Sequence, residues 1–422
     1  MGNNLIKKIL AKKLGHEVKV GEIIYIEPDL VMTHDHQGPM TIREFENIGA
    51  DSLWNPDKVI LVMDHRTPSQ TLVAVENHQK LRKFARKYGV TKFFDVGEGV
   101  CHDLVAEKAL VRPEMVYIAT DSHTVTEGAL GLFATGVGSS EMASIFATGK
   151  VWLKIPETIK VTLKGTLQKG VYGKDIALRL LEIIKTGGAD YKVLEFGGAG
   201  IASVSAASRM SLCNMCLEMG AKTAIFPVDK VTVEYYKEKG VEVQELYPDE
   251  DGEYISEIIV DLDQLEPLIA FPFSPDNVRS VSQIGDEVYA LNQSVIGTCT
   301  GARYEDLKVA AEILKGKQVR PGTRMLIVPA TKDLMLRCTQ EGIIETFLKA
   351  GAMVNVPCCG PCGGYGMAVL AEDESSITTG SRNFVARMGA PGAHIYLSNA
   401  ATAAASAIEG KLTDPRKYLS DS

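Results

Sequence analysis

Short apolar runs alternate with polar loops and helical stretches along most of the chain. Residues 58–63 (KVILVM), for example, lead into Asp64 and His65 and then into a predicted helix at about 71–88. An apolar run of this length, bounded by polar turns, is typical of a buried strand. Because strands that alternate with helices form parallel βαβ units, the pattern predicts an α/β fold with mostly parallel sheets.

The same alternation recurs near both ends of the chain. It predicts further strands at 91–95, 114–119, 294–296, 324–328 and 352–356, with helices at 304–314 and 332–349. Proline and clusters of charge interrupt it near Ile155-Pro156 and again at 265–272. We therefore predict three α/β domains, at 1–155, 156–268 and 269–422, with no internal repeat.

Chemically reactive residues lie in the loops that follow the predicted strands. Ligands of open α/β sheets bind beyond the carboxyl ends of the strands. Seven of the eight histidines precede residue 124, whereas the cysteines of interest follow residue 298. A site that uses both must therefore lie between domains. The residues concerned are Asp64, His65, His102, Asp121, His123, Cys299, Cys359 and Cys362.

Composition and charge narrow the class of protein. With 45% hydrophobic and 23% charged residues among 422, the chain is typical of a soluble globular protein. A formal net charge of -8 gives no electrostatic reason to bind nucleic acid. No apolar run approaches the ~18 to 20 residues that span a bilayer, and the start MGNNLIKKILAKK lacks the apolar core of a signal peptide. We expect a cytoplasmic protein with neither nucleic-acid nor membrane partners.

The C-x-x-C motif of Cys359 and Cys362 has three interpretations. A thioredoxin-like redox pair should open a helix, but Gly363 and Gly364 follow it and start helices poorly. A zinc site shared with Cys213 and Cys216 needs pairs about 15 to 20 residues apart, and these lie much further apart in the chain. The third interpretation is an iron–sulfur cluster held with a remote cysteine.

The remote cysteine is Cys299, in the Gly-rich loop 297–301. Three thiolate ligands would leave one iron open as a Lewis acid for a hydroxyl and a carboxylate. Cys358 is a rival to its neighbour Cys359, although the C-x-x-C spacing favours Cys359. The remaining cysteines are expected in the core, because free cysteine packs as a small hydrophobe; they are Cys101, Cys213, Cys216 and Cys338.

Five motifs together resemble the aconitase family of iron–sulfur hydro-lyases: MDHRTP at Asp64, ATDSHT at Asp121, GTCTGARYEDL at Cys299, PCCGPCGG at Cys359, and SRNFVAR at 381–387. The resemblance implies three α/β/α domains around an interdomain iron–sulfur site. It also implies that the swivelling domain of full-length aconitases belongs to a separate small subunit. In the family that domain carries the serine base.

The resemblance further implies roles for individual residues. Three cysteines would hold a 4Fe-4S cluster, the Asp and His residues would assist departure of the hydroxyl, a glutamate would lie near the cluster, and other residues would bind substrate carboxylate. In that order these are Cys299, Cys359 and Cys362; Asp64, His65, His102, Asp121 and His123; Glu195; and Ser122, Arg382 and Arg387. The family's usual residues are replaced by Gly301, Ala302, Ser381 and Ala386.

The implied reaction removes a hydroxyl and a proton from neighbouring carbons of a small dicarboxylic hydroxy acid. An Asp-paired imidazole, His102 or His123, is expected to protonate the departing oxygen. The segment with His34, Asp35 and His36 resembles one that lines the family's pocket. The sequence leaves the side group of the acid open.

A different class, a non-enzymatic iron sensor or RNA-binding protein on the same fold, would need a basic cleft, which the net charge of -8 disfavours. A dinucleotide-binding or phosphate-loop enzyme is disfavoured because no complete glycine motif for either is present.

Overall fold

The computed structural model describes residues 2–285 and 287–419, and these form a mixed α/β protein. Its α-helices are α1 Leu5–Leu14, α2 Gly38–Ile48, α3 Leu72–Tyr88, α4 Cys101–Glu107, α5 Ser139–Thr148, α6 Gly173–Ile184, α7 Ala206–Cys216, α8 Lys230–Lys237, α9 Tyr304–Leu314, α10 Lys332–Gln340, α11 Ile343–Lys349 and α12 Ala400–Glu409. Two 3-10 helices also shape the site, Ser122–Leu130 and Gly360–Gly363.

The strands are β1 Ile23–Ile26, β2 Leu30–His34, β3 Val59–Val62, β4 Lys92–Phe94, β5 Val116–Ala119, β6 Phe133–Gly136, β7 Val151–Lys154, β8 Thr158–Lys164, β9 Val193–Gly197, β10 Thr223–Ile225, β11 Ser256–Asp261, β12 Leu268–Ala270, β13 Val278–Ser280, β14 Gln293–Ile296, β15 Arg324–Ile327, β16 Met353–Val354, β17 Ser375–Thr378 and β18 His394–Leu397. No α-helix among the described residues is both long and apolar enough to cross a membrane.

Three sheets carry most of the strands. The first has the order β4-β3-β2-β5-β6 and the second the order β10-β9-β8-β11, and every pair in both is parallel. The third, β13-β12-β18-β17-β14-β15-β16, is parallel except at β12 and β13. Strands β1 and β7 form a separate antiparallel ribbon. The predicted α/β fold with mostly parallel sheets is confirmed.

The register of the first sheet brings its polar loops together. All four residues of β3 are buried, as expected for a strand covered on both faces. His34 at the end of β2 pairs with Val62 of β3, and Met32 pairs with Ala119 of β5. The loops that begin at His34, Asp64 and Thr120 therefore leave the same edge of the sheet.

One predicted helix, 332–349, is wrong as a single element. The chain forms α10 and α11 instead, with Gly342 between them at a φ of 75°. A glycine adopts this left-handed conformation without the steric penalty of a Cβ, so it ends the first helix and redirects the second. The sequence pattern missed the break because apolar residues continue with helical spacing on both sides.

The three sheets share one apolar core. It includes Val62 of the first sheet, Leu194 of the second and Leu397 of the third, all fully buried or nearly so. The predicted boundary at 155 falls between β7 and β8, and that at 268 coincides with the start of β12. The division into domains at these positions stays a prediction, and the shared core indicates that the sheets are fixed relative to one another.

We expect Arg209→Met to lower the free energy of unfolding by about 3 to 5 kcal/mol, because it leaves the Asp229 carboxylate without its partner. Arg209 is fully buried and its guanidinium donates to Asp229 at 2.6 and 2.7 Å, and also to carbonyls of Val204 and Ile201. Urea denaturation followed by circular dichroism measures the change. The control Arg179→Met removes a partly exposed ion pair with Glu182 and should cost less than about 1 kcal/mol. Equal losses in the two variants would contradict the prediction.

Candidate active site

Loops from the first and third sheets meet at a cavity of about 220 Å³. Its lining includes most of the residues predicted from the sequence: His65, His102, Asp121, Ser122, His123, Cys299, Cys359, Cys362, Arg382 and Arg387. Asp64 lies immediately behind His65, with its side chain fully buried. The structure does not bring Glu195 to this cavity. His34 and His36 also line it.

Cys299 lies in the loop after β14 and is held from two sides. The side-chain nitrogen Nδ2 of Asn214, on α7, is 3.1 Å from Cys299 Sγ. Arg303 Nη2 donates to the Cys299 carbonyl at 2.8 Å, and Arg303 itself is paired with the buried Asp103. Helix α7 thus contributes a hydrogen-bond donor to the sulfur, a contact that the sequence did not reveal.

Cys359 caps a single turn of 3-10 helix that contains Cys362 and approaches the first sheet. The N–H of Cys359 donates to the carbonyl of Asp64 at 2.9 Å, which ties this loop to the end of β3. Arg387 Nη2 is 3.0 Å from Cys362 Sγ. Burial alone would raise the pKa of the Cys362 thiol, but the Arg387 guanidinium outweighs it and lowers that pKa.

This donor set fits a thiolate-bound group. N–H donors directed at two of the three sulfurs favour the anionic form, and thiolates are the ligands of iron–sulfur clusters. Cys358 is fully buried beside them but does not line the cavity. Cys358 is therefore a poorer candidate ligand than Cys299, Cys359 and Cys362, which all line the cavity.

A second group of potential metal-ligating side chains already makes hydrogen bonds within the protein. Ligand atoms of His34, Asp35, Asp64 and His65 lie within 4.8 Å of one another. Asp35 accepts from His78 and from the N–H groups of His65 and Arg66 at 2.8 to 2.9 Å. Its oxygens organise the loop after β3, so the three cysteines are the better candidates for a metal centre.

Carboxylates and imidazoles alternate from the core to the cavity. Asp64 Oδ1 is 2.7 Å from His65 Nδ1, and His65 Nε2 is 3.2 Å from Asp121 Oδ2. The other oxygen of Asp121 is 2.9 Å from His102 Nε2 and accepts from the N–H of His123 at 2.7 Å. The two Asp-His motifs, far apart in sequence, form one buried network.

Pairing between imidazoles and carboxylates determines which side chains of this network are protonated. Burial would lower the pKa of His65, but interactions with Asp64, Cys359 and Asp121 raise it well above its usual value. Burial would likewise raise the pKa of Asp121, but hydrogen bonds and charge from His102 and His65 hold it well below its usual value. His65 is therefore an imidazolium near neutral pH, and Asp121 is the ionised carboxylate that pairs with it.

His34 stacks on His65, with ring centroids 3.9 Å apart. Burial and the neighbouring positive charge of His65 lower the pKa of His34 to about 4. A neutral His34 therefore covers one face of the charged ring and fixes its plane.

Glu218 is a site residue that the sequence analysis missed. It is 2.9 Å from His123 Nε2 and accepts from Arg382 Nε at 2.8 and 3.0 Å. Burial and Arg382 keep the pKa of His123 below its usual value. Glu218 follows α7 rather than a strand, so the pattern of post-strand loops could not find it; its charge within the apolar segment 215–219 was the available signal.

Glu195 instead joins the N-terminal helix to the second sheet. It lies on β9, where it accepts from the N–H of Leu5 at 2.8 Å and from the hydroxyl of Tyr254 at 2.5 Å. Burial raises its pKa to about 7. The role implied for it near a cluster does not agree with this position, because strand β9 directs the side chain towards α1.

Lys174 is a further residue found only in the structure. It is buried on α6, and its ammonium donates to the carbonyls of Thr379 and Gly380 at 3.0 and 2.5 Å. Burial lowers its pKa to about 8. These carbonyls directly precede Ser381 and Arg382, so Lys174 fixes the start of the arginine loop.

Backbone strain occurs at the other end of that loop. Ala386 has a φ of 61°, a conformation that favours glycine. The conformation turns the chain so that Arg387 faces Cys362.

A family model described as the aconitase family (aconitate hydratase) matches residues 7–410. A protein from Methanopyrus kandleri named 3-isopropylmalate dehydratase large subunit 1 is 45% identical over 99% of this chain and 100% of its own length. One from Thermoanaerobacter sp., named 3-isopropylmalate dehydratase large subunit, is 46% identical with the same coverage. The solved structure of Thermococcus kodakaraensis aconitase X in its holo form has a TM-score of 0.52 at 13% identity, covering 85% of this chain and 84% of its own. This last likeness concerns the fold alone.

The Asp121 network predicts a pH-dependent loss of stability in Asp121→Asn. Stabilisation by imidazolium–carboxylate pairs is fully present only above the unfolded Asp pKa of about 3.9 and below the unfolded His pKa of about 6.5. We expect a loss of about 3 kcal/mol in that window, for a broken buried pair. The loss should shrink as the pH falls through the lowered pKa of Asp121, and as it rises through the raised pKa values of His65 and His102.

Urea denaturation at a series of pH values measures this difference in the unfolding free energy. The matched control is Asp95→Asn, which removes a partly exposed pair with Arg82 that involves no paired histidine. Its effect should stay below about 1 kcal/mol and should not decline above pH 6.5. A pH-independent loss in Asp121→Asn would contradict the assigned protonation.

Proposed function

The chain belongs to the aconitase family, and from that premise we propose that it is the large, catalytic subunit of a 3-isopropylmalate dehydratase. The enzyme would convert 2-isopropylmalate to 3-isopropylmalate by dehydration and rehydration, in leucine biosynthesis. The observation that carries the proposal is the convergence of three thiols, two arginines and the Asp-His network on one cavity.

Cys299, Cys359 and Cys362 would hold a 4Fe-4S cluster. When bound, such a cluster with three protein ligands supplies an open iron that acts as a Lewis acid on a hydroxyl and a carboxylate. The protein's contribution at this position is to stabilise negative charge on two of the sulfurs, which lowers the pKa of Cys362 and acts against the burial that raises the pKa of Cys299. Asn214 and Arg387 do so with N–H groups 3.0 to 3.1 Å from two of the sulfurs.

We assign proton donation to the departing hydroxyl to His65, rather than to His102 or His123. His65 lines the cavity beside Cys359 and is held as an imidazolium by Asp64 and Asp121. His102 also lies between two carboxylates, but it is 2% exposed against 8% for His65, and its Nε2 is closer to Asp121, at 2.9 Å against 3.2 Å. The lowered pKa of His123 leaves it neutral and therefore a poor acid near pH 7.

Arg382 and Arg387 would bind the substrate carboxylate that faces away from the metal centre. Both line the cavity, and Arg382 is held in place through its Nε by Glu218, which leaves its terminal nitrogens available. A guanidinium fork matches the geometry of a carboxylate and forms short, charge-assisted bonds with it. Ser122, at the start of the 3-10 helix, lines the same cavity and would add a hydroxyl.

The carbon base is expected on a partner. No residue described around the cavity stands in the described structure as an unpaired anion directed into it: Asp121 and Glu218 are both committed to cationic neighbours. The relatives are named large subunit. We therefore propose a small subunit that covers the cavity, supplies the base and contacts the substrate's side group.

Single replacement of Cys299, Cys359 or Cys362 by Ser should remove most of the iron and sulfide from the anaerobically reconstituted protein. Turnover in the complex with the small subunit should fall at least about 100-fold, because the Lewis acid contributes several kcal/mol. Iron and sulfide analysis, visible absorbance and conversion of 2-isopropylmalate measure these changes. A panel of homocitrate, citraconate and dimethylmalate tests the substrate.

Cys358→Ser is the matched control, since Cys358 is the direct neighbour of Cys359 but lies outside the cavity lining. It should retain iron and turnover. If the three variants kept their iron and activity, the proposed cluster site would be refuted.

Arg382→Lys should raise the KM for the substrate about 10- to 100-fold, as expected for loss of one charged hydrogen bond of about 1.5 to 3 kcal/mol. Iron content should not change, because Arg382 donates to no cysteine sulfur in the described structure. Steady-state kinetics of the assembled enzyme measures KM. The exposed Arg43→Lys serves as control and should leave KM unchanged. An unchanged KM in Arg382→Lys would argue against carboxylate binding by this residue.

A further inference from the structure

A glutamate that the sequence analysis did not select lies directly behind His102. Glu127 belongs to the 3-10 helix that follows Asp121, and it is 0% exposed. Its Oε1 is 3.1 Å from His102 Nδ1. Its other oxygen, Oε2, has no hydrogen-bond partner in the described structure. A buried carboxylate with one free oxygen costs stability, so the single bond that it makes requires an explanation.

Glu127 extends the buried network by one member at its inner end. From the cavity inwards the order is His65, Asp121, His102 and Glu127, with ligand-atom separations of 3.2, 2.9 and 3.1 Å. His102 thus lies between two carboxylates, with one at each ring nitrogen. Burial raises the pKa of Glu127, and the charge and hydrogen bond of His102 act against that rise. With both carboxylates ionised, each only accepts hydrogen bonds, so both ring nitrogens of His102 carry a hydrogen.

The doubly protonated His102 has a geometric consequence for Asp121. The Nε2 hydrogen of His102 and the N–H of His123 both bind Asp121 Oδ1. This leaves Oδ2 to face His65 Nε2. If His102 turned or became neutral with its hydrogen on Nδ1, Asp121 would lose one of the two bonds that set the direction of its second oxygen.

We propose that Glu127 is a positioning residue that acts through His102: it holds His102 as an imidazolium, which anchors Asp121 beneath the proton donor His65. Glu127 does not touch the cavity, and its effect on the reaction passes through two hydrogen bonds. The link to turnover rests on the proposed function, whereas the charge on His102 does not.

The other ionisable groups around Glu127 do not replace it as a partner of His102. Burial lowers the pKa of His102, and Glu127 and Asp121 together raise it well above its usual value. Asp103, next to His102 on α4, is paired with Arg303. The thiols and phenols that face Glu127 have pKa values raised by burial and are therefore neutral; they are Cys101, Tyr117, Cys213 and Tyr236.

The first test is the titration of His102 in the full-length chain free of metal, labelled with 15N-histidine and assigned by comparison with His102→Asn. In the wild type we expect 15N shifts of an imidazolium near neutral pH. In Glu127→Gln the amide keeps the side-chain size but not the charge, so His102 should lose its proton at a pH lower by about one unit. An unchanged titration, or a wild-type His102 that is already neutral, would overturn the proposal.

The second test is the pH profile of the reconstituted complex with 2-isopropylmalate. Glu127→Gln should lower kcat about tenfold on the alkaline side, where His102 has become neutral, and should leave KM within about twofold. A normal profile together with a shifted His102 would overturn the positioning role. Absence of turnover in the wild-type complex would instead refute the proposed function, and the titration alone would then decide the role of Glu127.

Glu195→Gln is the matched control. Like Glu127, Glu195 is a buried glutamate whose pKa is raised by burial, but it lies on β9, away from His102. It should change neither the His102 titration nor the pH profile. If Glu127→Gln fails to fold, Glu127→Asp replaces it: the shorter carboxylate keeps its charge further from Nδ1 and should shift His102 in the same direction by a smaller amount. No shift in Glu127→Asp would overturn the proposal.

Discussion

A carboxylate removed from water requires positive charge or hydrogen-bond donors, and Asp121 obtains them from His65, His102 and the N–H of His123 at once. Those partners come from the loop after β3, from α4 and from the 3-10 helix after β5. Each element is held in position by a parallel sheet whose strands end at the same edge. The Asp121 pairing therefore fixes three segments relative to one another and defines one wall of the cavity.

The opposite wall of the cavity consists of sulfurs and guanidinium groups, which are also held by polar partners. The sulfurs of Cys299 and Cys362 each face a nitrogen donor, and Arg382 is oriented by Glu218. A protein with a net charge of -8 thus concentrates guanidinium groups where the anionic substrate of a hydro-lyase would lie. Both walls meet across the apolar core shared by the three sheets, so the packing of that core sets the distance between thiols and imidazoles.

The network also explains why neighbouring histidines differ in character. His65 and His102 each lie between two carboxylates and hold a second proton, whereas His34 is covered by the ring of a charged neighbour and stays neutral. His123 has a carboxylate on one side and the Arg382 guanidinium nearby, and its pKa is lowered. The four imidazoles of one cavity thus divide into two charged and two neutral rings, which allows a charged one to act as an acid near neutral pH.

The sequence by itself determined the α/β class, the six strands that it predicted, two of its three predicted helices, and the residues of the post-strand loops, because these depend on local periodicity and on the rule that ligands bind at strand ends. The structure alone identified Glu127, Glu218 and Lys174, since each lies on or directly after a helix and acts on the site through hydrogen bonds to residues distant in the chain. It also separated Glu195 from the cavity, although its motif had suggested otherwise. Contacts between distant segments leave no periodic signal in one sequence, so burial and pairing became visible only once the three sheets were packed together.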